Sequence, residues 1–238
     1  MKKVIVFAMM LMCSSAFAEF SLMPDLTATQ FKDLVSDLSM AVTPTISSPA
    51  EPLKTLGFDI ALESQLTTIN SDADRWENAW GGAEPANTVW ANRVHVQKGL
   101  PFGVDLGASV TQGANLDFTA VTLEGKYAFL KGSVATPALS ARVAYTKVFN
   151  IEDVNLQTFL AGLYISKGFL ILTPYAGIED VYAIASEDSD ADLDDETANN
   201  IRGLVGLQIC PFPLFVINVE AAKAADVYQF GLKAGIRF

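Results

Sequence analysis

The chain has 238 residues, half of them hydrophobic, with 16 basic against 27 acidic side chains and a formal charge of −11. That sign excludes nucleic acid as a partner, since phosphates demand cationic surface. The mean hydropathy of +0.29 is high for so acidic a chain, so the acids must be clustered.

Met1-Lys2-Lys3 is a positive start, Val4 to Met12 is an apolar stretch too short to span a bilayer, and Ala16-Phe17-Ala18 is a small-x-small site. Residues 1–18 therefore read as an export signal cut before Glu19. Met12 stands before Cys13 where lipoproteins carry Gly or Ala, which argues against a lipid anchor. Cys210 is then the one cysteine left, and an internal disulfide is excluded.

Residues 19–55 follow a different pattern from the rest. Thr27-Ala28-Thr29-Gln30 has capping-box spacing. Phe31, Leu34, Val35, Leu38 and Val42 fall on one helical face, with Lys32, Asp33, Ser36 and Asp37 on the other. The pattern predicts an amphipathic helix of about 14 residues. Pro44, Ser47-Ser48-Pro49 and Pro52 make a stiff linker after it. The main expectation is a segment packed at a barrel rim. A plug inside the barrel and a periplasmic or membrane-surface contact are the alternatives.

From residue 56 the periodicity changes to two. In Val227 to Phe238 every even position is apolar: Tyr228, Phe230, Leu232, Ala234, Ile236 and Phe238. Such alternation means a strand with one greasy and one polar or small face. It recurs through ten segments, 56–69, 87–98, 103–111, 115–129, 138–149, 155–167, 171–185, 198–210, 214–223 and 227–238. Each meets the roughly 9–11 residues that a tilted strand needs to cross a membrane. An even number returns the chain to its starting side, as closure requires. The fold class is thus all-β, a closed antiparallel transmembrane up-and-down barrel over 56–238. A soluble sandwich or lipocalin-like barrel also alternates, but with its apolar set turned inward. A helical span over Thr158 to Ile178 is interrupted by Lys167-Gly168 and Pro174.

The connections alternate too. Long polar loops at 70–86 and 186–197, with short ones at 112–114, 150–154 and 224–226, lie on one side. Tight or apolar turns at Gly99-Leu100-Pro101-Phe102, Lys131 to Pro137, Gly168-Phe169-Leu170 and Pro211-Phe212-Pro213 lie on the other. Long external loops and short periplasmic turns are the usual arrangement.

The export signal, the ten amphipathic segments and the final aromatic resemble small bacterial outer-membrane barrels of the porin-like class, over 56–238. Tyr228, Phe230 and Phe238 resemble the C-terminal signal read by the barrel-assembly machinery. The resemblance implies a bacterial outer membrane with both termini periplasmic, and contact with membrane lipid and lipopolysaccharide.

The polar face then lines a lumen. Its acids are Asp59, Glu63, Asp105, Glu124, Glu179 and Glu220; its bases are Arg93, Lys126, Arg142, Arg202, Lys233 and Arg237, with His95 among them. The signs nearly balance, and confined charges are stable chiefly when paired, so a salt-bridge network filling the lumen is expected. A charged solute path is the alternative. His95 is the one histidine, and no nucleophile and orienting acid are placed around it by the sequence. His95-Val96-Gln97 also lacks the serine two residues on that lipid A deacylases carry. No catalytic residue, metal centre or cofactor is expected.

Glu187 to Glu196 is the densest acidic run. Counting from Asp188, Leu193 and Asn199 stand where an EF-hand needs Gly and Glu, so only weak binding of divalent cations is expected, on an otherwise solvated loop. Trp90 fits an interfacial girdle, while Trp76 and Trp80, near Gly81-Gly82, either meet a ligand or fold their loop onto the rim. The function expected is structural or surface interaction by a filled barrel. A narrow channel or transporter for small or apolar solutes comes second, and an outer-membrane enzyme last.

Overall fold

A computed structural model of the chain describes residues 27–70, 73, 76, 87–151, 154–187 and 195–238. The expected export signal, Trp80, Gly81-Gly82 and the acidic run from 188 to 194 lie outside the described residues. One helix, α1 (Ala28–Val42), precedes ten strands. These are β1 (Phe58–Thr68), β2 (Thr88–Gly99), β3 (Val104–Gly113), β4 (Thr119–Lys131), β5 (Ala138–Phe149), β6 (Val154–Ser166), β7 (Leu172–Glu187), β8 (Glu196–Ile209), β9 (Phe215–Ala224) and β10 (Val227–Arg237).

Every strand pairs antiparallel with the next, and β1 pairs with β10 from Asp59↔Arg237 to Thr67↔Gln229, which closes the barrel. No sheet edge is left among them, so no strand backbone needs water. At the seam Phe58 N–H donates to the Phe238 carbonyl at 2.6 Å, and Phe238 N–H returns a bond at 2.9 Å.

The faces divide as a membrane requires. Each strand turns a large apolar side chain outward: Ile60, Val94, Leu106, Leu123, Val143, Leu163, Ile178, Val205, Ile217 and Leu232, in chain order. Their neighbours along each strand, such as Arg142 beside Val143 and Glu124 beside Leu123, are buried. A soluble barrel would show the reverse. An apolar outer band around a polar interior is the mark of a transmembrane barrel. No described helix is long and apolar enough to cross a membrane; the strands cross instead.

Two segments depart from the sequence reading. Leu56, expected as the first strand residue, adopts φ 77° in the turn before β1. Residues 115–118, expected to open the fourth strand, form a connection instead. Asn115 accepts the Trp90 N–H and donates to the Thr88 carbonyl, which fixes the fold-over. Leu116 and Phe118 are thereby buried in the barrel mouth.

The largest departure concerns the N-terminal segment. It does not sit at the rim. Helix α1 lies inside the barrel, against β8 and β7 above all. Phe31, Leu34, Val35, Leu38 and Val42 pack with Leu116, Phe118, Val148 and Leu156 in one apolar cluster. The reason is on the wall: near the long loops the inward positions are small or apolar, among them Ala91, Ala120, Ala183, Ala185 and Ala198. Small side chains leave room for a helix some 10 Å or more across, and an apolar lining has no other way to escape water.

Candidate functional site

The lumen is built by the polar face of the strands and by the segment that fills it. The capping box forms as expected, with Gln30 N–H donating to Thr27 Oγ1 at 3.3 Å and Thr27 N–H to Gln30 Oε1 at 3.0 Å. Lys32 and Asp33 are exposed at the mouth, whereas Asp37, on the same polar face, is buried. Trp76 Nε1 donates to Asp37 Oδ2 at 2.9 Å. This tryptophan is fully buried against the plug. Ser36 donates to Asn200 Oδ1 on β8 at 3.1 Å. Below the mouth the helix has no face left to solvent, so its buried polar groups must find partners on the wall.

The last turn of α1 exposes carbonyls with no helical partner. The wall supplies the donors. Gln229 Nε2 donates to the Met40 carbonyl at 2.7 Å and Arg202 Nη1 to the Thr43 carbonyl at 3.1 Å. Arg202 Nη2 reaches the Pro44 carbonyl at 3.2 Å, and Arg93 the Thr45 carbonyl at 3.2 Å. Farther down, Lys126 Nζ donates to the carbonyls of Pro49 and Glu51 at 3.1 and 3.2 Å. Cations at a helix C-terminus are also favoured by its dipole. The linker prolines remove N–H groups that would each need an acceptor. Two of the N–H groups that remain find carboxylates: Ser47 donates to Glu220 Oε2 at 3.1 Å, and Leu53 to both oxygens of Asp105 at 3.0 and 3.1 Å.

The wall charges form a chain around the barrel. Arg237 donates to Asp59 Oδ2 at 2.6 Å, and Lys233 lies 3.0 Å from Asp59 Oδ1 and 3.7 Å from Glu63 Oε1. Glu63 also pairs with Arg93. His95 stands between Glu63 (Nδ1 to Oε1, 2.8 Å) and Glu124 (Nε2 to Oε1, 3.1 Å). Arg142 grips Glu124 Oε2 through Nη2 at 2.6 Å and Nε at 2.9 Å, and reaches Glu179 at 3.3 Å. Arg202 closes on Glu179 Oε2 at 2.5 Å, with the Tyr164 hydroxyl on the other oxygen. Lys126 and Asp105 form a separate pair at 3.2 Å. All are buried except Arg237, whose side chain is 26% exposed.

The thirteen charge-bearing positions read from the sequence thus all face the lumen, with one exception to the pairing. Glu220 has no basic side chain within 4 Å among the described residues; its partner is the Ser47 backbone. Charge balance along a sequence says nothing about which acid a linker N–H will take. His95 has both nitrogens on carboxylates, and a neutral imidazole can donate to only one of them. Ser109 lies across from His95 in register, but the nitrogen it would need is engaged by Glu124. Among the described residues no group of His, Cys, Asp and Glu is arranged to hold a metal.

A void of about 10 Å³ beside Thr45, Arg93 and Gly231 has room for at most one water. The sequence reading did not foresee that wall side chains would bind the linker's backbone. The apolar inward positions at the loop end, such as Val89, Ala91, Ala183 and Ala185, carried that signal, because a dry half-lumen needs an apolar filler.

The presumed assembly residues share the outer face but lie at different heights. Phe238 stacks on Phe58 at 5.6 Å at the turn end. Tyr228 sits at the loop end under Lys223, 4.7 Å from the ring centre. Phe230 lies between them and pairs with Leu66. Trp90, exposed near the loop end of β2, donates to Ser64 Oγ at 2.6 Å.

No protein-family model and no curated protein matches this chain. Among solved structures it is similar to the KdgM porin in complex with disordered oligogalacturonate, at 11% identity over 77% of this chain and 99% of that one, with a TM-score of 0.41. It is similar to Ail, the attachment invasion locus protein of Yersinia pestis, at 17% identity over 76% of this chain and 98% of that one, TM-score 0.35. It is also similar to the translocator domain of the autotransporter NalP from Neisseria meningitidis, at 11% identity over 88% and 96%, TM-score 0.41. The chain's own geometry makes it a ten-stranded transmembrane barrel plugged by its N-terminal segment.

Proposed function

We infer that this protein is a bacterial outer-membrane barrel that stands closed and acts by surface interaction rather than as an open pore. One observation carries the reading: the backbone from Thr43 to Leu53 runs down the lumen with its carbonyls and N–H groups bound by wall charges. A closed pore leaves the outer face and the loop-end mouth as the working surfaces. His95 serves the network, and no catalysis is assigned to it.

The long loops define the external end, by the usual arrangement of such barrels. The C-terminal Phe238 lies at the opposite, periplasmic end, paired with Phe58. Thr27 to Thr29 are exposed at the loop end, so the described chain begins outside. From there the chain descends through its own barrel to Leu53. Lipid and lipopolysaccharide surround the apolar belt, and the assembly machinery is the expected reader of the terminal strand.

Planar-bilayer recording tests the closed state. The mature protein should show little steady conductance, and a variant lacking Glu19 to Pro49 should conduct. Steady current through the intact protein would replace this reading with a channel. Orientation is tested on intact cells with Ala28→Cys and a membrane-impermeant maleimide, where labelling is expected; absence of labelling until the outer membrane is broken would reverse the placement.

A gated channel is favoured by one feature. Among the described residues the plug is held by side-chain hydrogen bonds and packing, with no strand pairing to the wall, so it can leave without breaking the barrel.

A further inference from the structure

Asp180 is the charge the lumen does not use. It follows Glu179 on β7, so the pleat turns it outward, and it is exposed on the apolar belt. Among the described residues it has no hydrogen-bond or ion-pair partner. An ionisable side chain on a membrane-facing surface is costly and points to function.

Asp180 also ends a groove. Cross-strand register sets Leu106, Gly125, Val143, Ala161 and Asp180 side by side across β3 to β7. With strands about 4.8 Å apart, this lane is roughly 19 Å long. One rung toward the loops, Leu123, Tyr145, Phe159 and Tyr182 form a ridge, with the rings of Tyr145 and Phe159 5.1 Å apart. Gly125 and Ala161 lower the floor on either side of Val143. The groove is an open furrow of about 580 Å³ on the barrel's outer face. Leu106 lies near the turn end of β3 and Asp180 halfway up β7, so the lane descends from the carboxylate toward the periplasmic side.

We propose that this groove binds a single-tailed amphiphile with an ammonium head group, taken from the membrane, the head on Asp180 and the tail along the lane over Gly125. Charge selects the head: the carboxylate accepts up to three N–H donors from a primary ammonium, and among the described residues no base competes for it. Shape selects the tail: the lane is apolar, long and one side chain wide. A protein partner would need far more contact than a furrow of this width offers.

The test uses the mature protein in a nonionic micelle, with dodecylammonium and dodecanol as probes and native mass spectrometry as the readout. The wild type should retain one dodecylammonium at least fivefold over dodecanol. Asp180→Asn should remove that preference while the barrel stays folded, because it only neutralises a membrane-facing charge. Gly125→Leu should lower retention of both probes; a Cβ there meets nothing closer than 3.8 Å, so the larger side chain fills the groove rather than the wall. Asp226→Asn, in the β9–β10 turn, should change nothing. Equal retention of the two probes by the wild type, or undiminished preference in Asp180→Asn, would overturn the proposal. Lumen conductance does not enter the readout, so the outcome is independent of whether the barrel is closed.

Discussion

Arg202 donates to the Thr43 carbonyl at 3.1 Å while its Nε holds Glu179 at 2.5 Å. One side chain thus joins the last turn of the plug to the wall network. Arg202→Ala should take the donor from Glu179 Oε2 and from the Thr43 and Pro44 carbonyls, while Arg142 and Tyr164 stay on the other carboxylate oxygen; breaking a buried pair costs up to about 3–5 kcal/mol. Urea titration of refolded protein measures the loss. A change under ~1 kcal/mol, the scale of an exposed pair, would show that water replaces the guanidinium.

Leu38 is fully buried in the apolar cluster of α1. Leu38→Ala should cost about 2–5 kcal/mol if the helix is inside the barrel. It should also raise the frequency of transient openings in bilayer recordings. Lys32→Ala, on the exposed side of the same helix, should do neither.

Val143 and Ala144 are neighbours with opposite fates. Val143 is 61% exposed on the belt, while Ala144 is buried against Met40, Leu160 and Val181. Val143→Arg near the midplane should cost about 2–4 kcal/mol through the lipid contact alone. Ala144→Arg should instead push Met40 and the plug aside and produce conductance. Conductance from Val143→Arg, or silence from Ala144→Arg, would contradict the face assignment.

Phe238 closes the β1–β10 seam through two backbone bonds and its stack on Phe58. Phe238→Asp should lower the yield of inserted, heat-modifiable barrel on unheated gels. Phe238→Tyr, which keeps the ring, should restore most of it. Equal yields from both variants would remove the aromatic from the assembly step.

Alternation with period two carried the strand order, the two faces and the lumen charges, because a side chain's face follows from parity and a slip of one residue would turn every charge to lipid. Loop length marked the two ends, since external loops are free to grow and turns are not. Helical spacing from Phe31 to Val42 made α1 legible as an element. Its location was not, because an apolar stripe has the same sequence whether it meets a membrane, a rim or a lumen. Only closure of the barrel decided it, by bringing the small inward residues of β2, β4, β7 and β8 around one empty column. Closure likewise chose the ion pairs: Arg237 and Asp59 stand 178 residues apart and meet only across the seam. Asp180 was left outward by parity alone, but the groove it ends exists because five strands in register place Gly125, Val143 and Ala161 beside it, a coincidence of neighbours that no single segment contains.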